Sequence, residues 1–170
     1  LPYVEETIGP EGIKVAILGI GNHRIPNYEL PSNIPGLTFL NPLSTANDYI
    51  NGPTDTLRTK DDVVIALTHI GFTENPSSVE VDVNVDTNLA TQVSGIDAII
   101  GAHSHTDPSK QTAYSGIYKF LPTIIAGPSP EGEIAPPVLV TQAYRYNITL
   151  GEVILGMRAK DGGGYEVVSR

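Results

Sequence analysis

Apolar residues run almost unbroken through Ile13-Lys14-Val15-Ala16-Ile17-Leu18, Val63-Val64-Ile65-Ala66-Leu67 and Asp97-Ala98-Ile99-Ile100. Runs of this length, rich in β-branched residues, predict strands covered on both faces rather than the alternation of a half-wet strand. Between them, the connection from Asn41 to Asp62 and the stretch from Asp86 to Val93 space their apolar residues as helices do, with Asp86 placed as an N-cap. Strand, helix, strand, helix, strand is the order of a parallel α/β sheet. Past Pro108 the pattern changes to Pro and Gly punctuation around Thr123 to Ala126, Pro137 to Thr141, Gly151 to Met157 and Tyr165 to Val168. These read as antiparallel strands, with Asp161-Gly162-Gly163-Gly164 as a hairpin turn. No internal repeat is present, and the Pro-rich loop from Pro128 to Pro137 is the one compositionally biased segment.

Composition narrows the function classes. A chain of 170 residues, 40% hydrophobic and 17% charged, is sized for one domain with one core. Its net charge of −9 argues against a nucleic-acid polymer or an anionic membrane surface as partner, since both are bound through basic residues. No cysteine is present, so disulfides and thiolate metal sites are excluded. No run of about 18 apolar residues exists to span a membrane. The chain opens at Leu1-Pro2-Tyr3-Val4 without an initiator Met or a signal peptide, which reads as an excised segment of something longer.

The candidate chemistry lies at strand ends. In open α/β sheets, ligands bind beyond the carboxyl ends of the strands. His69 follows the strand ending at Leu67, and His103 and His105 follow the one ending at Ile100. If these strands are parallel neighbours, the three imidazoles converge, with Gly71, Gly95 and Gly101 letting backbone bend closely around them. Neutral imidazole is a common ligand for Zn²⁺ and related ions. Histidines at i and i+2 in extended chain stand ~6–7 Å apart at Cα. That spacing suits two metals ~3.5–4 Å apart, each taking one histidine.

Thr68-His69-Ile70-Gly71-Phe72, followed by Asp86-x-x-Leu89-Ala90-x-x-Val93-x-Gly95-Ile96-Asp97-x-Ile99-Ile100-Gly101-x-His103-Ser104-His105-Thr106, resembles the 5'-nucleotidase branch of the calcineurin-like metallophosphoesterases. The opening Gly12 to Gly19, and Gln142-Ala143-Tyr144 with Leu150-Gly151, look like that branch too. The resemblance implies a layered α/β/α metallophosphoesterase-type sheet. It also implies two divalent metal ions, Zn or Mn foremost, with His69 and His103 on one and His105 on the other. The reaction implied is hydrolysis of phosphate monoesters such as 5'-nucleotides.

Several parts of the family pattern are missing. No Asp-x-His occurs, and no bridging Gly-Asp precedes the first strand. Gly21-Asn22-His23 imitates the family's Gly-Asn-His motif, but Arg24 stands where that motif has an acid, and Asn22 and His23 are read as a surface turn. Residues 1–170 are therefore expected to be the carboxyl half of the phosphoesterase domain, without the nucleotidase carboxyl-terminal domain. The catalytic acid-base group then lies outside the chain. An open sheet edge and apolar face follow, and so does a partner, either the missing amino-terminal half or another chain. The implied setting is secreted, cell-surface or periplasmic. Two alternatives stand beside this reading: a non-catalytic binding module or inactive fragment that keeps the fold, and a compact α/β domain with purely structural histidines.

The remaining polar residues have plainer expectations. Asp61-Asp62 reads as a helix-to-strand turn or solvated face, and Asp97 as a turn cap or a partner of a ligand histidine. Asp107 reads as a solvated loop acid able to orient an imidazole. Tyr144 and Tyr146 read as alternate positions of a half-buried strand. Asn147-Ile148-Thr149 is a glycosylation sequon, used only if exposed in a secreted protein.

Overall fold

The computed structural model describes residues 2–53, 56–73, 82–106, 123–126, 137–146 and 149–170. Asp107, Asn147 and all of the Pro-rich loop before Pro137 lie outside them. The strands are β1 (Tyr3–Ile8), β2 (Ile13–Ile20), β3 (Val63–Thr68), β4 (Ala98–Gly101), β5 (Thr123–Ala126), β6 (Pro137–Gln142), β7 (Gly156–Ala159) and β8 (Tyr165–Ser169). The helices are α1 (Pro42–Asn51), α2 (Leu57–Lys60) and α3 (Asp86–Gln92).

Six strands form one sheet in the order β1-β2-β3-β4-β6-β5, and β7 with β8 forms a separate antiparallel hairpin. β2, β3, β4 and β6 are mutually parallel, while β1 and β5 run antiparallel at the edges. The three apolar runs thus form the parallel centre. Pro137 to Thr141 departs from expectation: it extends the parallel core against β4 and is antiparallel to β5 alone. β1 was not foreseen, because its exposed Glu5 and Glu6 break the apolar run, although charge is what an edge strand needs. The expected strand from Gly151 starts only at Gly156.

One face of the sheet is covered. Ala16, Leu18, Val64, Ala66, Ile99, Val138 and Val140 meet Ala46, Ile50, Leu57, Leu89 and Ala90 of the helices in a single core. The opposite face carries Ile17, Ile65 and Ile100, only partly buried, and Leu67, which is 53% exposed. Register places Ile17 beside Ile65 and Leu67 beside Ile100, so these side chains form one apolar tract. Toward the amino ends of the strands the same face is buried at Val15, Val63, Ala98 and Leu139, so burial on both faces, expected from the continuous runs, is met there and gives way only toward the carboxyl ends among the described residues.

The acids at the amino ends of the strands are structural. Asp61 and Asp62 do lie in the turn from α2 to β3, but both are buried rather than solvated. Asp62 accepts from Lys14 N at 2.9 Å and Tyr165 N at 2.6 Å. Burial alone would raise its carboxyl, and these two N–H donors outweigh it, so its pKa lies below the ordinary value. Asp97 accepts from Val64 N at 3.0 Å and pairs with Arg58 at 2.8 Å and Arg170 at 2.9 Å. It sits at the opposite end of β4 from the histidines, so of its two readings the partnership with a ligand histidine is ruled out.

Candidate metal centre

Parallel neighbours bring their following loops to the same edge. His69 N donates to Ile20 O at 2.9 Å, which continues the β2–β3 ladder one residue beyond the strand. Alternation turns Thr68 inward beneath α3 and leaves His69 exposed on the opposite side. β4 ends at Gly101, and the chain then bends through two left-handed residues, His103 at φ 80° and His105 at φ 52°. This conformation costs a non-glycine residue ~1–2 kcal/mol. The bend brings the His103 ring to 5.2 Å from that of His69, with the planes tilted by 55°.

His105 takes a different course. The extended spacing expected between His103 and His105 is not adopted, because both residues turn left-handed, and the His105 ring packs edge-on against Tyr146 at 5.4 Å. Tyr144 and Tyr146 are not strand residues either. β6 stops at Gln142, and they take φ of 62° and 56°, with the Arg145 guanidinium 5.0 and 5.1 Å from their rings. All four left-handed non-glycine residues among those described therefore fall in the loops after β4 and β6. Such clustering of costly backbone is typical of functional sites.

Beneath the loops lies a buried polar network that pattern reading missed. Asp86 does not cap α3; Val85 is the N-cap, and Asp86 is the first helical residue, fully buried. Its Oδ1 accepts from Thr68 Oγ1 at 2.5 Å, and its Oδ2 lies 3.5 Å from Gln142 Nε2. Burial pushes the Asp86 carboxyl up to about 7, against the opposing bonds from Thr68 and Gln142. Gly101 is required here: a Cβ at that position would overlap Asp86 Oδ2.

Asp82 is the second residue that pattern reading passed over. It lies 3.3 Å from His23 Nε2 and 3.9 Å from Arg24. Asn22 turns back to accept from Arg24 N at 2.8 Å, which fits the expected turn, but His23 is mostly buried and lines a cavity of about 370 Å³ at the end of β2. The charges of Asp82 and Arg24 are both felt by His103. Partial burial lowers the His103 pKa first, the charges of His69 and His105 lower it further, and Asp82 offsets this only in part. Its imidazole is thus kept neutral near pH 7, the form that binds a metal.

The fit to a metal is partial. Two imidazoles at this separation can share an ion at ~2.0–2.1 Å from each nitrogen. Among the described residues, however, no group of three His, Cys, Asp or Glu side chains stands close enough to hold one.

Comparison with known proteins finds relatives among the phosphoesterases. The chain is 30% identical over 152 residues to the trifunctional nucleotide phosphoesterase protein YfkN of Bacillus subtilis, covering 89% of the chain but 8% of that protein. It is 30% identical over 157 residues to a snake venom 5'-nucleotidase of Crotalus adamanteus, covering 89% of the chain and 22% of the relative. The chain therefore spans less than a quarter of these relatives. Among solved structures, a 5'-nucleotidase precursor from Thermus thermophilus superposes with a TM-score of 0.55 at 27% identity, over 84% of this chain and 24% of that one. The calcineurin-like phosphoesterase YfkN from Bacillus subtilis shares the fold over 98% of this chain and 48% of that one, at 24% identity and a TM-score of 0.58. No family model matches.

Proposed function

Because this chain is a homologue of the 5'-nucleotidases and calcineurin-like phosphoesterases, we propose that it supplies one part of a dinuclear-metal phosphoesterase acting on phosphate monoesters such as 5'-nucleotides. The observation that carries the reading is the convergence of His69 and His103 at the carboxyl edge of a parallel sheet. In it, His69 and His103 hold one divalent ion, Zn or Mn, and His105 serves a second. Bound ions of this kind polarise a phosphoryl oxygen and activate water. The chain's own contribution is to fix two imidazoles beyond the ends of β3 and β4, exposed among the described residues. No catalytic acid-base residue is assigned within the chain.

Residues 1–170 act in this reading as the carboxyl half of the phosphoesterase domain. The apolar tract of Ile17, Ile65, Leu67 and Ile100, partly exposed among the described residues, lies on the side to which His69 turns, which suits an amino-terminal half bringing the carboxylate ligands. Among the described residues no helix is long and apolar enough to cross a membrane. A secreted or surface setting is part of the same proposal, and venom 5'-nucleotidases among the relatives favour it.

The test is metal content and intact mass under non-denaturing conditions, followed by hydrolysis of AMP and p-nitrophenyl phosphate by the chain together with an amino-terminal half. About two ions per complex, with hydrolysis abolished by His69→Ala or His103→Ala, is the expected result. A metal-loaded complex that hydrolyses neither ester, or alanine variants as active as the parent, overturns the reading.

A further inference from the structure

We propose that Gln142, the last residue of β6, is the positioning residue of the histidine loop, spanning it with both ends of one amide. Gln142 is 4% exposed and aligns with Gly101, from which the loop departs. Its Nε2 donates to Ala102 O at 2.9 Å, and its Oε1 accepts from Thr106 N at 3.1 Å. These two backbone groups bracket His103, Ser104 and His105. A carbonyl can only accept and a backbone N–H can only donate, so one orientation of the amide satisfies both. Ser104 Oγ, 3.3 Å from Oε1 and 3.2 Å from Nε2, sits between the two ends and accepts from Phe72 N at 3.0 Å. That bond ties the loop to the one that follows His69.

The two histidines need such a clamp. Neither has a glycine's freedom, yet both stand in the left-handed region. Backbone held there persists only where its surroundings over-determine it. The amide fixes the carbonyl before His103 and the N–H after His105, and so limits how far the residues between can relax. Asp86 orients the clamp from below, through Oδ2 at 3.5 Å from Gln142 Nε2. Among the described residues Gln142 makes no hydrogen bond to an imidazole and acts through backbone, whereas an ordinary buried glutamine would merely satisfy itself.

This inference rests on the metal-centre reading for its consequence but not for its geometry, and the experiment separates the two. In the metal-free 170-residue chain, NMR couplings and ¹³Cα shifts report φ at His103 and His105. The parent is expected to show positive φ at both, and Gln142→Met, which keeps the volume and loses both bonds, to return both to negative φ with distant resonances unmoved. Gln142→Glu keeps the acceptor for Thr106 N and loses the donor to Ala102 O, so it should release His103 before His105. Should Gln142→Met fail to fold, this variant carries the test. Zinc alone, titrated against the imidazole resonances, should bind Gln142→Met about 10- to 100-fold more weakly than the parent. Positive φ retained at both residues in Gln142→Met, or zinc affinity within about twofold of the parent, overturns the proposal. If zinc shifts neither imidazole of the parent, the metal reading fails, and the φ comparison still decides the role of Gln142.

Discussion

Asp86→Asn separates the cost of a buried charge from that of a buried amide. Asp86 has no solvent exposure, and its pKa rises from 3.8 to about 7. A carboxyl whose folded pKa exceeds its unfolded one holds a proton in the native state that the unfolded chain has already lost. Stability is therefore greatest below about pH 4, falls as pH rises toward 7, and levels off above. A rise of about three units, at 1.36 kcal/mol each, corresponds to ~4 kcal/mol lost across that window. Against the ~5–15 kcal/mol of a typical domain this is a large share, equal to ~2 M in urea midpoint for a slope of ~2 kcal/mol/M. Asparagine has nearly the same shape, still accepts from Thr68, and has no charge to desolvate. Its cost is a donor set against the Gln142 amide, ~1 kcal/mol by the usual worth of one hydrogen bond. Urea unfolding from pH 4.5 to 8.5 should give a falling midpoint for the parent and a flatter line for Asp86→Asn, with the variant the more stable at pH 8. Parallel lines, or a parent that gains stability between pH 4.5 and 7, would refute the reasoning.

The other predictions follow from single contacts. Asp97→Ala leaves Arg170, with its side chain 5% exposed, facing no carboxylate, and should cost ~3–5 kcal/mol in urea unfolding. Gly101→Ala drives a methyl into Asp86 Oδ2 and should cost at least ~1–3 kcal/mol, measured the same way. His103 should titrate by NMR below the ordinary histidine midpoint of 6.5 in the metal-free chain, and His69→Ala should move that midpoint upward, since the His69 charge lowers it. Leu67→Asp, on the exposed tract, should change the stability of the isolated chain by no more than ~0.5 kcal/mol while abolishing its association with an amino-terminal half, read by size-exclusion chromatography.

The parallel centre was legible because burial leaves a compositional mark: Val63 to Leu67 is apolar whichever way its side chains turn. The same property hid the exposed stretch at the carboxyl end of β3, since Val63 and Leu67 look alike in sequence although one is buried and the other is 53% exposed. β1 was illegible for the converse reason, its glutamates masking the strand between Tyr3 and Ile8. The histidines could be placed because topology alone carries the ends of β3 and β4 to one edge. Their conformation could not, since histidine, though enriched at positive φ, adopts it in a small minority of cases and only tertiary bonds select it at His103 and His105. Asp86 shows the limit of pattern most sharply. An aspartate before a helical run signals a cap, and only the proximity of Thr68 and Gln142, 18 and 56 positions away, reveals its use in a buried network.

The hairpin of β7 and β8 bears on how this chain folds. Its anchors join residues far apart, Asp62 to Tyr165 across 103 positions and Asp97 to Arg170 across 73, whereas the bond from Val64 N to Asp97 spans 33. Closing a loop of about 100 residues rather than about 30 adds ~1 kcal/mol of chain entropy. Contacts of such high order also slow folding, because that entropy is spent before the contact forms. The βαβ units can therefore assemble first, leaving Asp62 and Asp97 without Tyr165 and Arg170 until the hairpin arrives. Its docking becomes the late step that satisfies those two carboxylates, and a refolding experiment should find its resonances last to reach native positions.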